Sequence, residues 1–196
     1  MSPKKKILRA LVKPVVCLFY DKKYLQGRWF DDALRGWFWA LRCIVPQRIL
    51  RINSEAGWPC SPYMRVAGKR INFHPDDLNN FQTLGQYFQC FHANITIGRG
   101  SYIGPNVGLI TSNHDPLDLD NHAAGQDVVL GEACWIGMNS VLLPGVVLGP
   151  RTIVGAGAVV TKSFPEGYCV LVGNPAKKLK SFDPSDNTDA ASLVGG

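Results

Sequence analysis

Four histidines are the side chains of this sequence best suited to proton transfer, because imidazole takes up and releases a proton near neutral pH. They are His74, His92, His114 and His122. His114 and His122 fall in the run SNHDPLDLDNHAAGQDV at 112–128, which is polar and rich in turn-forming residues. Polar loops held on a rigid framework commonly carry functional groups. We therefore expect the site of chemistry at this loop.

The framework is a repeat of six residues that runs without a gap from Leu130 to Pro165. The first place of each hexad is aliphatic: Leu130, Ile136, Leu142, Leu148, Val154 and Val160. Glycine follows it in four of the six hexads. A period of six with glycine in phase fits neither a helix nor a simple alternating strand, and it is typical of a β-solenoid. We expect one short strand per hexad, three hexads per triangular coil, and the aliphatic side chains inside.

The same spacing recurs at Ile97, Ile103 and Leu109, which predicts one further coil at 97–114. The register then slips, because Leu109 and Leu130 are 21 residues apart, three more than a coil of 18. The slip predicts that residues 112–128 leave the stack as an extruded loop. We expect an N-terminal helical segment at 1–70, the solenoid at 71–180, and a small, polar tail at 181–196 that is disordered.

The N-terminal segment differs from the rest of the chain in charge. Residues 1–51 hold twelve lysines and arginines against three aspartates, a net charge of +9, whereas the whole chain carries +6. A uniformly basic nucleic-acid-binding protein is therefore disfavoured. Residues 4–20 place apolar side chains on one helical stripe, and tryptophans alternate with arginines in 28–42. Such a segment either packs on the end of the solenoid or on a neighbouring subunit, or it lies on an anionic membrane surface.

The six cysteines form no CxxC pair, which is typical of reduced thiols in a cytoplasmic protein. Charged residues interrupt the apolar run near the N-terminus, so we expect no signal peptide. The uncharged apolar run at 14–20 is far shorter than the roughly 20 residues that span a bilayer. We expect a cytoplasmic location, with peripheral contact to the inner membrane face through residues 4–42 as an option.

Several segments resemble the hexapeptide-repeat acyltransferase superfamily, and in particular its galactoside, maltose and polysaccharide O-acetyltransferases. They are NHDP at 113–116, CWIG at 134–137, LPGVVLG at 143–149, VGAGAVVTKSFP at 154–165 and GNPAKKLK at 173–180. The resemblance implies a mainly β protein, a left-handed parallel β-helix that transfers an acetyl group directly from acetyl-CoA to a hydroxyl of a saccharide, a surface polysaccharide or its precursor, without a metal. It also implies a homotrimer with a site at each junction between subunits.

The resemblance also assigns residues. His114 matches the histidine that is the general base of the family, Asp115 could orient its imidazole, and His92 and His122 could contact the acceptor. The positions that match coenzyme A contacts are Trp135, Ala156, Thr161, Lys162, Lys177 and Lys180. Galactoside enzymes carry an acceptor-binding asparagine one coil before the histidine, where this sequence has Gln89 and Cys90. The acceptor geometry is therefore expected to differ from that for simple galactosides.

Three other functions stay open. An amino sugar or serine could take the place of the saccharide hydroxyl, although the long helical N-terminal domain of serine acetyltransferases matches these 70 or so residues poorly. The histidines could hold zinc, as in the solenoids of γ-type carbonic anhydrases. The solenoid could also be a non-catalytic scaffold, which would have no reason to bind coenzyme A.

Overall fold

The structure, a computed structural model, describes residues 3–183. Two α-helices lie in the N-terminal segment, α1 (Pro3–Val16) and α2 (Arg35–Ile44). Shorter helical turns lie at Lys22–Tyr24, Arg28–Asp32, Val45–Ile49 and Pro75–Phe81. The strands are β1 (Arg65–Ala67), β2 (Ile71–Asn72), β3 (Tyr87–Gln89), β4 (Ile95–Ile97), β5 (Tyr102–Ile103), β6 (Gly108–Ile110), β7 (His114–Asp115), β8 (Asp118–His122), β9 (Val128–Leu130), β10 (Trp135–Ile136), β11 (Val141–Leu142), β12 (Val147–Leu148), β13 (Ile153–Val154), β14 (Val159–Val160), β15 (Cys169–Val172) and β16 (Lys177–Ser181).

Most of these strands stack into three sheets that form the faces of a triangular prism. Face one has the order β2-β4-β9-β12, face two β5-β10-β13-β15-β16, and face three β1-β3-β6-β11-β14. Neighbouring strands within a face are parallel, apart from the antiparallel pair β15–β16. Apart from the hairpin β7–β8, the strands from β4 to β14 pass through faces one, two and three in turn. The predicted left-handed parallel β-helix is confirmed.

The pairing register confirms a coil of 18 residues. Ile136 pairs with Val154, and Leu142 pairs with Val160, in each case 18 positions further along the chain. The six aliphatic side chains at the first places of the hexads are at most 1% exposed. Burying a side chain of this size stabilises the fold by about 1.5–3 kcal/mol. The hexads therefore supply a continuous apolar core along the prism.

Glycine is required at a corner where successive coils approach closely. A Cβ atom on Gly131 would lie 2.6 Å from the carbonyl carbon of Gly149 in the next coil. Such a contact with backbone cannot be relieved by a side-chain rotation. The buried hydroxyls near these corners are satisfied within their own coil, since Ser140 donates to the Gly137 carbonyl (2.7 Å) and Thr152 donates to the Gly149 carbonyl (2.8 Å).

The register corrects the predicted size of the loop. Ile97 pairs with Leu130, 33 positions further on, so 15 residues are inserted beyond one coil of 18. The expected excess of three was wrong because Leu109 and Leu130 lie on consecutive faces, three and one, and not on the same face. One hexad would ordinarily separate them. The extruded loop is thus almost a full coil in length.

The ends of the solenoid also differ from the expected limits. β1 already belongs to face three, so the stack of parallel strands begins at Arg65 and not at residue 71. At the other end, Ser181 closes β16, and the Phe182 N–H donates to the Tyr168 carbonyl (2.9 Å). The remainder of the predicted tail, 184–196, lies outside the described residues.

The N-terminal segment packs on the end of the prism, which was one of the two options from the sequence. Phe30 and Trp37 are buried in an edge-to-face contact, and the Trp37 indole donates to the Phe30 carbonyl (2.9 Å). The predicted apolar stripe is only partly buried. Val16 belongs to the core and Val12 packs against it, whereas Leu11 is exposed. None of the helices among residues 3–183 is long and apolar enough to cross a membrane.

Asp76 joins the N-terminal segment to the solenoid. Its carboxylate accepts a hydrogen bond from the backbone N–H of Arg28 (2.8 Å) and another from the guanidinium of Arg99 (3.1 Å). The Arg28 N–H, followed by the His74 and Arg99 side chains, holds the pKa of this carboxyl below its ordinary value. The ionised form of Asp76 is therefore favoured by the fold.

Asp76→Asn should reduce the loss of stability at acid pH, that is, the slope of the free energy of unfolding against pH. A carboxyl whose pKa is lower in the folded than in the unfolded state stabilises the fold above its unfolded pKa, and this contribution is lost as the pH falls through the folded pKa. The free energy of unfolding of the unmodified protein should therefore fall more steeply than that of the variant from about pH 5, one unit above the ordinary aspartate pKa, down through the lower pKa of the folded state. Urea titrations at each pH measure it. The same slope of the free energy of unfolding against acid pH in both proteins would contradict the prediction.

Candidate active site

The extruded loop is a two-stranded hairpin on the edge between faces three and one, which we call the loop edge. β7 and β8 pair antiparallel, with His114 opposite His122. The returning strand is tied down where it rejoins the prism, because the Asp127 carboxylate accepts the backbone N–H of Asn94 (2.7 Å). The Gln126 N–H donates to the Thr111 carbonyl (2.8 Å). The hairpin is thus closed at its base and anchored to the coil below.

A buried glutamine fixes the start of the loop. Gln89 on β3 accepts the N–H groups of Thr111 and Ser112, both at 3.0 Å, and its amide donates to the Ser112 carbonyl at 3.1 Å. These three bonds set the backbone two residues before His114. Sequence reasoning missed this role, because it considered Gln89 only as the counterpart of an acceptor-binding asparagine. The available signal was an amide side chain on a strand of the inner coils.

The imidazole of His114 is oriented by the loop itself. Its Nδ1 atom lies 2.7 Å from the carbonyl oxygen of Leu119, and the side chain is exposed. A carbonyl oxygen can only accept a hydrogen bond, so this contact requires the proton on Nδ1. The lone pair is then on Nε2, the ring nitrogen on the opposite side. This is the tautomer in which a histidine can remove a proton from an incoming hydroxyl.

Three of the four histidines cluster at the loop edge. The His114 and His122 rings pack at a tilt of 32° with their centroids 4.4 Å apart, and the rings of His92 and Phe91 each lie 6.1 Å from that of His122. His74 is elsewhere, where its Nδ1 accepts the Asp76 N–H and caps a helical turn. Within the described part of the chain, no set of three or more His, Cys, Asp or Glu side chains is arranged to hold a metal ion.

Asp115 does not orient the imidazole as expected. Its carboxylate accepts the N–H of Leu117 (2.9 Å) and so holds the tight turn of the hairpin. The partner of His114 is the Leu119 carbonyl instead. The reason is local, since an aspartate at the start of a turn readily bonds the backbone two residues further on. A contact between Asp115 and the acceptor stays a prediction.

A shallow groove runs along the edge between faces two and three, which we call the groove edge. Its volume is about 360 Å³, and its walls include Trp135, Met138 and Ala156. Gly137 forms part of its floor, where a Cβ atom would lie 2.7 Å from the backbone nitrogen of Ala156. The lining is mainly apolar and small, so the groove can accept a narrow chain against the backbone.

The six positions predicted to contact coenzyme A fall into separate groups. Trp135 and Ala156 line the groove. Lys177 comes directly after a turn at the same edge, which is held by a hydrogen bond from the Ala176 N–H to the Val159 carbonyl. Thr161 and Lys162 follow β14, on the loop edge with the hairpin. Lys180 lies on β16 opposite Val170. The structure brings the first three together and does not join them to the other three.

The chain is similar to known proteins mainly in the solenoid. The family model described as "Bacterial transferase hexapeptide (six repeats)" matches residues 127–162. A galactoside O-acetyltransferase of Lactococcus lactis subsp. lactis is 31% identical over 145 residues, which are 69% of this chain and 67% of that protein. A Schizosaccharomyces pombe protein with a provisional acetyltransferase name is 41% identical over 95 residues, 46% of this chain and 45% of that protein. A solved galactoside acetyltransferase in complex with coenzyme A is 22% identical, covers 76% of this chain and 80% of its own, and has a TM-score of 0.45.

The extent of these matches decides what they establish. The matches to the S. pombe protein and to a Saccharomyces cerevisiae relative span only about half the length of those proteins. The L. lactis match covers two thirds of the relative and extends beyond the hexads. Together with the hexad repeat and the three-faced prism, it shows that the chain belongs to the hexapeptide-repeat acyltransferase superfamily.

Proposed function

We propose that this chain is an acetyl-CoA-dependent O-acetyltransferase that acts on a saccharide hydroxyl. The observation that carries the proposal is the contact of His114 Nδ1 with the Leu119 carbonyl at 2.7 Å, which leaves Nε2 as the proton acceptor. A hydroxyl must lose its proton as it attacks a thioester carbonyl, and a positioned base contributes about 10²–10⁴-fold to the rate. The galactoside O-acetyltransferase of L. lactis supports a saccharide as the acceptor.

The acceptor would meet the side chains around His114. His122 packs against the imidazole, His92 and Phe91 lie beside His122, and Asp115 follows His114 in the hairpin. Aromatic and imidazole rings offer flat surfaces and polar edges to a sugar ring. Gln89 cannot serve as the acceptor-binding amide, because its side chain already bonds the backbone of Thr111 and Ser112 at the start of the loop. The acceptor is therefore held by different groups from those that a coil-borne asparagine would supply.

Acetyl-CoA supplies the acyl group as a thioester, and the groove edge suits the narrow arm of this co-substrate. Small residues let the arm approach the backbone beside Trp135 and Ala156. Lys177 at the same edge, and Lys162 on the loop edge of an adjoining copy, would place ammonium groups near its phosphates. No metal takes part in the proposed reaction.

We infer a homotrimer because the groove and the hairpin lie on different edges of one prism. The loop edge of one copy would face the groove edge of the next, so each site would use two chains. Exposed apolar side chains on the groove edge, Trp135 (45%) and Met138 (47%), favour such a contact. Six cysteines without a disulfide favour a cytoplasmic location.

The proposal is tested by following free thiol release from acetyl-CoA with a panel of acceptors. We expect release with saccharides, both simple galactosides and polysaccharides, and only background release without an acceptor. Release with an amino sugar or serine alone would replace the proposed acceptor by that compound. No release together with no coenzyme A binding in calorimetry would favour a scaffold, and stoichiometric zinc in the purified protein would favour the metal-dependent alternative.

Ala156→Leu should weaken coenzyme A binding at least tenfold, or about 1.4 kcal/mol. Ala156 is exposed in the groove, so the larger side chain would fill space that the coenzyme needs without disturbing the buried core. Isothermal titration calorimetry measures the effect. Ala10→Leu is the matched control, since Ala10 is an exposed alanine on α1. Equal affinities for coenzyme A in both variants would contradict the position of the groove in the site.

A further inference from the structure

Helix α1 has apolar side chains on two surfaces. One surface packs against the core, and the other faces outward. Val12 and Val16 face the rest of the molecule. Leu8, Leu11 and Val15 follow the helical spacing on an exposed stripe. Leu18, just after the helix, is 81% exposed, and Leu11 is 69% exposed. A monomeric soluble protein rarely leaves such a continuous stripe without a partner.

The stripe continues onto α2. Leu8 and Phe38 line the same seam between the two helices, and Phe38 is 55% exposed. We call the surface formed by Leu8, Leu11, Val15, Leu18 and Phe38 the docking face. It lies on the N-terminal helices and is separate from the loop edge and the groove edge.

Positive charge lies at the end of the docking face that Leu18 forms. Lys23, Arg48 and Lys69 line a cavity of about 480 Å³ together with Leu18, and its carboxylates are Asp21 and Glu55. A second cavity, of about 580 Å³ on the opposite side of α1, is lined by Arg9, Lys13 and Lys22. The same cavity contains one carboxylate, Asp31, which pairs with Arg9 at 2.8 Å. The excess agrees with the net charge of +9 for residues 1–51. The flank thus offers lysine ammonium groups to phosphates next to an apolar surface.

We propose that the docking face binds the surface of an anionic lipid bilayer, with its leucines among the acyl chains and the neighbouring lysines on the headgroup phosphates. This is the arrangement of an interfacial helix, in which apolar burial and attraction to anionic lipid act together. Each lysine or arginine near such a surface strengthens binding about fivefold. A second copy of the chain is a poorer occupant, because a symmetric contact would bring two segments of charge +9 together.

Vesicle flotation of the full chain tests the proposal, with neutral phosphatidylcholine vesicles and with vesicles that also contain phosphatidylglycerol. We expect binding to the anionic vesicles that is much weaker on neutral ones and is screened by salt. Leu11→Ser with Leu18→Ser should lower the partition coefficient at least tenfold, since each leucine would lose its burial in the bilayer. Leu84→Ser, at a solenoid position that is 57% exposed, is the matched control and should bind like the unmodified chain.

No binding to anionic vesicles, equal binding to both lipids, or an equal effect of the control would overturn the proposal. A smaller particle in light scattering for the double variant would identify a second copy as the occupant instead. The docking variants should retain acetyl transfer to a soluble acceptor, and His114→Ala should retain vesicle binding. Failure of the membrane proposal is therefore distinguishable from failure of the proposed function.

Discussion

His114→Ala should lower the rate of acetyl transfer about 10²–10⁴-fold, which is the usual contribution of a positioned general base. The imidazole is exposed at the start of the hairpin, so its removal takes nothing from the core. The Leu119 carbonyl that it leaves behind is on the exposed strand β8, where water can replace the lost partner. Fold and coenzyme A affinity should therefore stay unchanged while the chemical step fails.

Three measurements separate this outcome from a general loss of structure. Circular dichroism and thermal unfolding report on the fold, calorimetry reports on coenzyme A, and thiol release reports on transfer. His74→Ala is the matched control, because it removes a histidine that caps a helical turn and should cost only about 1 kcal/mol of stability. An unchanged transfer rate in His114→Ala would remove the histidine from the mechanism.

Leu142→Ala should lower the free energy of unfolding by about 2–5 kcal/mol, the range for emptying a buried leucine site. Leu142 is fully buried on β11, whose neighbours in face three are β6 and β14. A coil in a solenoid is stabilised chiefly by the coils on either side, so a cavity here weakens two interfaces. Replacement of one inner coil residue is therefore expected to affect the whole stack.

Chemical denaturation of both proteins measures this loss. Leu84→Ala is the control of the same chemistry, since Leu84 is 57% exposed and should change stability by well under 1 kcal/mol. The pair isolates burial from the change of residue type. If the free energy of unfolding fell by the same small amount in both variants, the inward aliphatic side chains would not be the stabilising core of the prism.

The fold was predictable because the six-residue period identifies the side chains that face inward. Ile136 and Val154 occupy the same place in hexads three apart, and the structure pairs them directly. The size of the loop was not predictable in the same way. Its length follows from the faces on which Leu109 and Leu130 lie, and a separation in sequence does not identify a face.

The site was only partly predictable. His114 and its loop were identified from the motif and the break in register, whereas the partner of the imidazole is a backbone carbonyl, which carries no sequence signature. The Gln89 clamp depends on the pairing of β3 with β6, in early coils whose hexads are irregular. In α1 the apolar residues were visible, but which of them face the core is decided by α2 and the prism.

A crystal structure with coenzyme A and a saccharide acceptor would test the central claim most directly. The account predicts the pantetheine arm beside Trp135 and Ala156, with its sulfur close to Nε2 of a His114 that belongs to the adjacent copy, and an acceptor hydroxyl between them. A coenzyme bound on a surface remote from every His114, or a hairpin that faces no neighbouring chain, would contradict it.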